Sequence, residues 1–318
     1  MEFGVQIEPQ FGFTYEAVTT IAREAEQAGY THLWVTDHFF LAPAEPDRPC
    51  LEAWTLLAAL SQRTTRLRLG PLVTAQSYRQ PSLLAKMAAT VDVMSGGRLE
   101  FGIGTGWKEA EYLAYGYPFP PAPVRVEQLQ DALEIVRAMW TQERATVRGR
   151  HYQVHEAVCA PKPVQRPHPP ILVGARRPRV LALAARYADA VNIPEFFLDP
   201  AAYATYLRTL EAACRRIGRD PATIRKTHST YTVVGRTRAE VEALVDGLLR
   251  GRGLSPEETA RRLRGGTVGT PDAVRERLAA YRALGIAQVI FLFPYGRERE
   301  MLGLLAEEVL PALTTARA

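Results

Sequence analysis

The chain has 318 residues, of which 47% are hydrophobic and 23% charged, a composition typical of globular proteins rather than disordered ones. Its net charge of +5 comes mainly from arginines, but their clusters at residues 176–179 and 261–264 are short and lack interleaved aromatic residues, which argues against nucleic-acid binding. Three widely separated cysteines indicate neither a disulfide framework nor a metal cage, and no apolar run is long enough to span a membrane.

The expected compartment follows from the N-terminus and the cysteines. Residues 1–6 have no basic stretch leading into a long apolar one, so we expect no export signal. Cys50, Cys159 and Cys214 fit a reducing environment. We therefore expect a cytoplasmic protein with no membrane partner. No linker-like segment divides the chain, so we expect a single domain over residues 1–318.

Strand-like and helix-like segments alternate along the chain. Strands are predicted at residues 3–7, 31–35, 67–74, 99–104, 171–173, 190–192, 226–234 and 288–293. Helices are predicted at residues 14–28, 51–62, 81–94, 124–140, 179–187, 201–217, 238–249, 271–284 and 298–313. Eight strands, each followed by helix, predict an α/β fold of the (β/α)8 TIM-barrel type, with an open doubly wound sheet as the alternative.

Two segments are predicted to be insertions into the barrel, one after its fourth strand and one after its seventh. Residues 105–170 are predicted to hold an insertion with a hairpin of residues 145–147 and 151–154, followed by a proline-rich stretch that excludes helix. Residues 251–269 are rich in glycine and arginine, and we expect them to form a mobile excursion.

An acid–imidazole pair, Asp37 and His38, directly follows the second strand. Parallel α/β folds place their chemistry at the carboxyl ends of strands, and a histidine beside a carboxylate can exchange a proton near neutral pH. The alternative interpretation is that Asp37 caps the next helix and His38 packs on the surface.

Glycines follow two later strands. Gly102, Gly104 and Gly106 alternate, which would let a flat ligand approach the backbone, but they do not form the dinucleotide-binding motif. Trp107 and Tyr112 belong either to the site or to ordinary packing.

The fifth strand leads into a turn with the sequence Gly174-Ala175-Arg176-Arg177, which precedes a helix. Exposed N–H groups, the helix dipole and guanidinium groups together favour a phosphate. The alternative is an ordinary connection with solvated arginines.

Five motifs occur in an order typical of one family. They are Thr36-Asp37-His38, Leu72-Val73-Thr74, Met94-Ser95-Gly96-Gly97-Arg98, Gly102-Ile103-Gly104-Thr105-Gly106-Trp107 and Leu183-Ala184-Ala185-Arg186-Tyr187-Ala188-Asp189. The sequence resembles the bacterial luciferase-like monooxygenase superfamily over nearly its whole length, and it looks most like the oxidoreductases that use the deazaflavin coenzyme F420.

The resemblance implies a TIM barrel with the flavin-like ring at the carboxyl ends of the strands. It implies that Asp37 contacts the cofactor and that His38 donates or accepts a proton. Leu72 and Val73 match a cis peptide bond that supports the ring. The cofactor-binding residues that it implies are Asp37, Leu72, Val73, Thr74, Thr105, Gly106, Trp107, Gly174, Ala175, Arg176, Arg177 and Val180.

Two departures from the family pattern bear on the ligands. Many relatives have two glycines where this chain has Arg176 and Arg177, which could grip the cofactor phosphate or crowd the turn. The sugar-phosphate dehydrogenases of the family carry a catalytic glutamate where this chain has Trp107, which argues against glucose-6-phosphate as the substrate. The substrate side is expected to include Glu8, Phe11, His38 and Trp107.

The function implied is hydride transfer between F420 and a small organic substrate, with Asp37 tuning His38 and with no metal ion. The alternatives are an FMN-dependent monooxygenase that uses oxygen, and a non-catalytic flavin-binding protein. Since family members are often dimers, we expect a homodimer.

Overall fold

A computed structural model describes residues 1–249 and 255–313 of the chain. Its strands are β1 (Glu2–Ile7), β2 (His32–Val35), β3 (Arg68–Pro71), β4 (Thr74–Ala75), β5 (Phe101–Gly104), β6 (Ala145–Arg148), β7 (Gln153–Ala157), β8 (Ile171–Gly174), β9 (Ala190–Ile193), β10 (Arg225–Val234), β11 (Thr267–Gly269) and β12 (Ile286–Leu292).

The helices lie between these strands and after the last one. They are α1 (Tyr15–Gln27), α2 (Ala53–Ser61), α3 (Pro81–Met94), α4 (Glu109–Ala114), α5 (Ala122–Thr141), α6 (Pro178–Tyr187), α7 (Pro200–Arg216), α8 (Arg238–Leu249), α9 (Pro256–Gly265), α10 (Pro271–Ala283) and α11 (Glu298–Glu308). Short 3-10 turns at Pro9–Phe11, Pro221–Thr223 and Leu310–Ala312 complete the regular structure. No helix of the described residues is long and apolar enough to cross a membrane.

Nine of the strands form one closed parallel barrel. Hydrogen-bonded neighbours follow the order β3, β2, β1, β12, β10, β9, β8, β5 and β4. β3 and β4 are two halves of one barrel strand, interrupted at residues 72–73. Because Leu69 of β3 pairs with Leu99 while β4 pairs with β5, the two ends of the path meet and close the barrel. The predicted eight-stranded TIM barrel is therefore confirmed.

Trp34 fills much of the barrel interior. It is fully buried and clusters with Leu72, Leu172, Ala190 and Ile290. A Cβ atom at Gly70 would lie 2.8 Å from the Trp34 ring and 2.3 Å from a backbone oxygen of Glu100. Glycine at this position lets a large indole occupy the lumen, so the interior is packed rather than open.

Local sequence accounts for the first helix. Thr14 accepts a hydrogen bond from the N–H of Ala17 and so caps α1. Val18, Ile21 and Ala25 recur at helical spacing and are buried against the barrel core.

The first insertion has the predicted hairpin, in which β6 and β7 pair in antiparallel fashion. The second insertion, at residues 251–269, contains α9 and β11 within its described residues 255–269, so it has regular structure there. Its mobility stays a prediction, and residues 250–254 lie outside the described part. Ser255 caps α9 by accepting from the N–H of Glu258, and Glu258 bonds Arg261 and Arg262 along the helix. The arginines thus stabilise a helix, and β11 joins the sheet beside β10.

Candidate active site

His38 lies just beyond the carboxyl end of β2, at the barrel face that the sequence predicts for the chemistry. Its Nδ1 lies 2.9 Å from a carboxylate oxygen of Glu111, which belongs to α4 after β5. In the described part of the chain, Nε2 of His38 has no hydrogen-bond partner. The ring is half-buried, so this nitrogen is the one available to a ligand.

Glu111 is a fully buried carboxylate surrounded by hydrogen-bond donors. It accepts from His38, from the Tyr78 hydroxyl at 2.6 Å, from Lys108 Nζ at 3.0 Å, and from the backbone N–H groups of Phe39 at 2.8 Å and Phe40 at 3.3 Å. Burial alone would raise its pKa, but the hydrogen bond and charge of His38, together with the bonds from Tyr78 and Phe39, lower the pKa to about 2.

The state of the histidine follows from that carboxylate. Because Glu111 is ionised at neutral pH, it can only accept a hydrogen bond, and Nδ1 of His38 therefore donates. This arrangement fixes the ring orientation and assigns the proton of the neutral imidazole to Nδ1. Burial and the same carboxylate raise the pKa of Tyr78, so the phenol stays protonated and keeps donating.

The carboxylate of Asp37 bonds Arg79 and Thr74 and not the neighbouring His38. It forms a two-pronged ion pair with Arg79, at 2.7 Å from Nη1 to Oδ2 and 3.1 Å from Nη2 to Oδ1, and it accepts from the Thr74 hydroxyl. Arg79 also bonds Glu52. Among the described residues, the contact to the His38 ring is made by Glu111, whereas Asp37 ties the β2 loop to β4. That Asp37 tunes His38 stays a prediction.

The peptide bond between Leu72 and Val73 is cis, as the resemblance implies. The side chain of Val73 lies between two glycines at strand ends. A Cβ atom would come within 2.8 Å of Val73 Cγ2 at Gly104, and within 2.9 Å at Gly174. Gly104 and Gly174 therefore leave room for the side chain of Val73. The approach of a flat ligand to Gly102, Gly104 and Gly106 stays a prediction.

The loop after β5 presents two aromatic residues differently. Gly106 has a φ of +74°, and a Cβ atom there would lie 1.9 Å from the hydroxyl of Tyr112. Tyr112 is fully buried and its hydroxyl lies 2.7 Å from that of Ser77, so its role is packing. Trp107 is 72% exposed, and its ring meets the ring of His38 edge-on at 5.7 Å between centroids. Thr105 is partly buried beside them.

The turn between β8 and α6 has features that suit a phosphate. Gly174 ends β8 and Ala175 is buried, whereas Arg176 and Arg177 are exposed. Arg177 is the N-cap residue of α6, no side chain caps the helix, and its first turn has no acidic residue. Uncapped N–H groups and guanidinium groups together favour an anion, so these residues fit the cofactor phosphate.

Arg176 and Val180 also have contacts within the protein. Arg176 pairs with Glu195 at 2.7 Å, so part of its charge is already compensated. Val180 is buried and its N–H donates to the carbonyl of Arg177, which stabilises the turn from within.

The two remaining residues predicted for the substrate side, Glu8 and Phe11, line a separate cavity of about 200 Å3 at the same end of the barrel. A second cavity, of about 930 Å3, lies between α8 and α11, and its lining includes none of the predicted site residues. Within the described residues, no group of three or more histidine, cysteine or acidic side chains could hold a metal ion.

Residues 1–288 match the model of the luciferase-like monooxygenase family. The chain belongs to this family. The F420-dependent glucose-6-phosphate dehydrogenase of Microbacterium testaceum is 30% identical over 312 residues, which cover 91% of this chain and 90% of that protein. The predictions of the luciferase-like family and of an enzyme are thereby confirmed.

Solved structures give the same fold for this luciferase-like chain. The coenzyme F420-dependent tetrahydromethanopterin reductase of Methanopyrus kandleri has a TM-score of 0.81 and 19% identity, covering 98% of this chain and 99% of that one. A monooxygenase of Streptomyces bottropensis has a TM-score of 0.82 and 23% identity, covering 99% and 100%. At these identities the two structures support the fold alone.

Several residues of this luciferase-like site were missed from the sequence. Glu111, Tyr78, Lys108 and Arg79 hold His38 and Asp37 in place, yet each is an ordinary residue in a helix or loop. The signal for Glu111 was its position soon after the exit of a barrel strand, at the start of the insertion over residues 105–170, where the structure forms α4. Helical spacing alone would not have distinguished it from Glu109, which is exposed.

Proposed function

We propose that the chain is an oxidoreductase that uses coenzyme F420 and transfers a hydride between the deazaflavin C5 and an organic substrate. The relative from Microbacterium testaceum, named as F420-dependent, supports the cofactor because the likeness extends over nearly the whole chain. The observation that carries the proposed chemistry is the imidazole of His38, which is held by an ionised carboxylate and keeps one nitrogen unpartnered among the described residues.

The chemistry is divided between the cofactor and the protein. When bound, the deazaflavin supplies or takes up two electrons as hydride. His38 manages the proton: Nε2 takes the hydroxyl proton when an alcohol is oxidised and returns it when a carbonyl group is reduced. Glu111 is a positioning residue, because it keeps Nδ1 protonated and so leaves Nε2 as the proton acceptor.

The remaining residues bind and orient. The start of α6, with Arg176 and Arg177, would hold the phosphate, and the backbone at Leu72 and Val73 would line the ring. The exposed indole of Trp107, which touches His38 edge-on, would cover the reacting groups from water. Asp37 holds the loop that carries His38 through its ion pair with Arg79.

Trp107 also distinguishes this chain from the sugar-phosphate dehydrogenases of the family. It stands where those enzymes carry a catalytic glutamate, and no acidic side chain other than Glu111 bonds His38 within the described residues. We therefore propose a substrate other than glucose-6-phosphate.

An anaerobic assay tests the proposal. The purified protein is mixed under nitrogen with oxidised F420 and secondary alcohols, and separately with reduced F420 and cyclic enones or imines. The cofactor absorbance should change without oxygen in at least one of these mixtures. Turnover that requires FMN, a reductase and oxygen would contradict the proposal in favour of a monooxygenase. Tight F420 binding with no redox change across the panel would contradict it in favour of a non-catalytic binding protein.

A further inference from the structure

The segment after β9 lies between two parts of the protein surface that carry arginines. Glu195 of this segment pairs with Arg176 of the β8–α6 turn at 2.7 Å. Further along, the segment packs against α9, because a Cβ atom at Gly265 would come within 2.0 Å of the carbonyl oxygen of Phe197. Arg262 of α9 also lies over the Phe197 ring at 5.4 Å. The start of α6 and the helix α9 are therefore neighbours on either side of one short segment.

Helix α9 has more arginines than carboxylates. Glu257 and Glu258 lie in its first turn, and Arg261, Arg262 and Arg264 follow them. Arg261 bonds Glu258 through Nε and Nη2, each at 2.8 Å, and Arg262 bonds the same carboxylate through Nε at 2.8 Å. One carboxylate thus compensates two guanidinium groups only in part, and some of their N–H groups stay available to another acceptor.

The β8–α6 turn adds to this positive charge. Arg177 forms no side-chain ion pair or hydrogen bond among the described residues, and Glu195 is the carboxylate that compensates Arg176. The hydrogen bonds and charge of Glu258, and to a lesser degree the charge of Glu195, raise the pKa of Arg261. The guanidinium groups of the turn and of α9 therefore lie within electrostatic range of the same carboxylate, that of Glu195.

This surface carries an excess of two positive charges, since five arginines and three glutamates lie in residues 174–177, 194–197 and 256–265. The side chain of coenzyme F420 continues beyond its phosphate into a tail of glutamates, each of which adds a carboxylate. With the phosphate at the start of α6, these carboxylates must pass over the surface next to the turn. Positive charge at that surface would attract them.

We propose that Arg176 and Arg261, on either side of Glu195, bind the glutamate tail of coenzyme F420. This inference rests on the proposed function and deepens it by giving the tail a site. Because both arginines are exposed and already paired, the attraction is electrostatic and of modest strength. The affinity for F420 should therefore rise with the number of glutamates and fall with salt.

The test measures affinity as a function of tail length. Forms of F420 with no, one, two and four glutamates are titrated by fluorescence at about 10 mM and about 500 mM salt, which shortens the range of charge from about 30 Å to about 4 Å. At low salt the form with four glutamates should bind at least about fivefold tighter than the form with none, because an exposed ion pair adds up to about fivefold. At high salt this difference should fall below about twofold. Equal affinity of all forms at low salt would overturn the proposal.

Charge-reversed variants test the assignment to α9. Arg261→Glu removes the excess of positive charge at an exposed position, so it should reduce the effect of tail length to less than about twofold while the form without glutamates binds as before. Arg261→Lys should retain the effect. Arg150→Glu makes the same change in net charge on the hairpin, where the exposed arginine pairs with Glu127, and should also retain it. Loss of the effect in both charge-reversed variants, or in neither, would overturn the assignment.

The same titrations separate this inference from the proposed function. Binding that is independent of tail length would overturn the inference and leave the function in place. Binding of none of the F420 forms would overturn the function and the inference together.

Discussion

His38 is held on one side by an ionised carboxylate, and its other ring nitrogen has no partner among the described residues. A histidine fixed in this way can cycle a proton through a single nitrogen, which is the role of a general acid or base. The surrounding contacts are numerous because Glu111 is buried and needs several donors to remain charged.

Replacing His38 by alanine should lower kcat by about 10²–10⁴, the usual contribution of a positioned proton-transfer group. The affinity for F420, measured by fluorescence, should change much less than kcat. His155→Ala, an exposed histidine of β7, is the matched control and should turn over like the wild type. Unchanged kcat in His38→Ala would remove this residue from the mechanism.

Glu111→Gln should lower kcat by roughly 10- to 100-fold, since a hydrogen bond to a charged group contributes about 1.5–3 kcal/mol. The amide no longer requires Nδ1 to donate, so 15N NMR of the imidazole should show a mixture of tautomers in place of the single Nδ1–H form. Glu109→Gln, on the exposed side of α4, is the control for the helix. A single Nδ1–H tautomer in the Glu111→Gln variant would contradict the positioning role.

Among single residues, His38 could be predicted from the sequence, whereas Glu111, the residue that positions it, could not. His38 stands out because it directly follows a barrel strand, and strand ends meet at one face. Glu111 is separated from it by 73 positions and is brought close only by the closure of β2 and β5 into one barrel. The adjacent residue, Asp37, was the natural candidate for a partner, but the chain directs its carboxylate toward Arg79.

The loop between β5 and α4 depends on glycine for two separate reasons. Gly106 has a positive φ, and it also lies against the hydroxyl of the buried Tyr112. Gly96, after α3, has a similar positive φ of +66° but has open space around it. An alanine at Gly96 would therefore carry only the cost of a positive φ, whereas an alanine at Gly106 would carry that cost and a steric clash with Tyr112 as well.

Gly106→Ala should reduce the free energy of unfolding more than Gly96→Ala does. Both variants force alanine into the left-handed region, at about 1–2 kcal/mol each. Gly106→Ala must also displace Tyr112, which we expect to add about 1–3 kcal/mol, as overpacking does. Urea unfolding of both variants measures the difference. Equal losses would show that Tyr112 moves aside freely and does not hold the loop.

The elements that sequence predicted least well are those stabilised by local side-chain pairs. Helix α9 was missed because glycines precede and follow it, which is typical of a loop, whereas its Ser255 cap and its Glu258–Arg262 pair stabilise a helix. The barrel strands were predicted well because apolar runs bounded by turns recur at regular spacing. The interruption at residues 72–73 follows from the family resemblance and not from periodicity.

The whole barrel has its site at one end and a buried ion cluster at the other. Glu100 precedes β5, and its carboxylate binds Arg68 at the start of β3, Arg225 at the start of β10, and His32 at the start of β2. Although burial alone would raise the pKa of Glu100, the hydrogen bonds and charges of His32 and Arg225 lower it from 4.5 to about 2. The cluster thus joins four strands at the end of the barrel opposite His38.

Glu100→Gln should destabilise the fold by about 3–5 kcal/mol at pH 7, because the half-buried guanidinium groups of Arg68 and Arg225 lose their buried carboxylate partner. The folded pKa of Glu100 lies below the unfolded one, so its stabilisation is present above pH 4.5 and is lost as the pH falls toward about 2. Urea unfolding between pH 7 and 2 should show this loss in the wild type and less of it in the variant. Glu300→Gln, in an exposed pair, is the control. An equal pH dependence in the Glu100 variant would contradict the assignment.

At the scale of the molecule, the order of strands and helices predicts the barrel, and the family match confirms it. The ion cluster was not predicted, since its members are scattered along the chain and meet only when the barrel closes. The expected homodimer, the cytoplasmic location and the single domain over residues 1–318 stay predictions.

The measurement that tests the account most directly is a fluorescence titration of the apo-protein with coenzyme F420 and, separately, with FMN. We expect micromolar or tighter binding of F420, because the uncapped start of α6 and its arginines would hold the phosphate of its side chain. This phosphate site would suit FMN as well, so the expectation that FMN binds much more weakly rests on the likeness to an F420-dependent relative over 91% of the chain. The opposite preference would assign the chain to the oxygen-using branch of the family. Binding of neither would contradict the assignment of Arg176, Arg177 and the Leu72–Val73 bond to the cofactor.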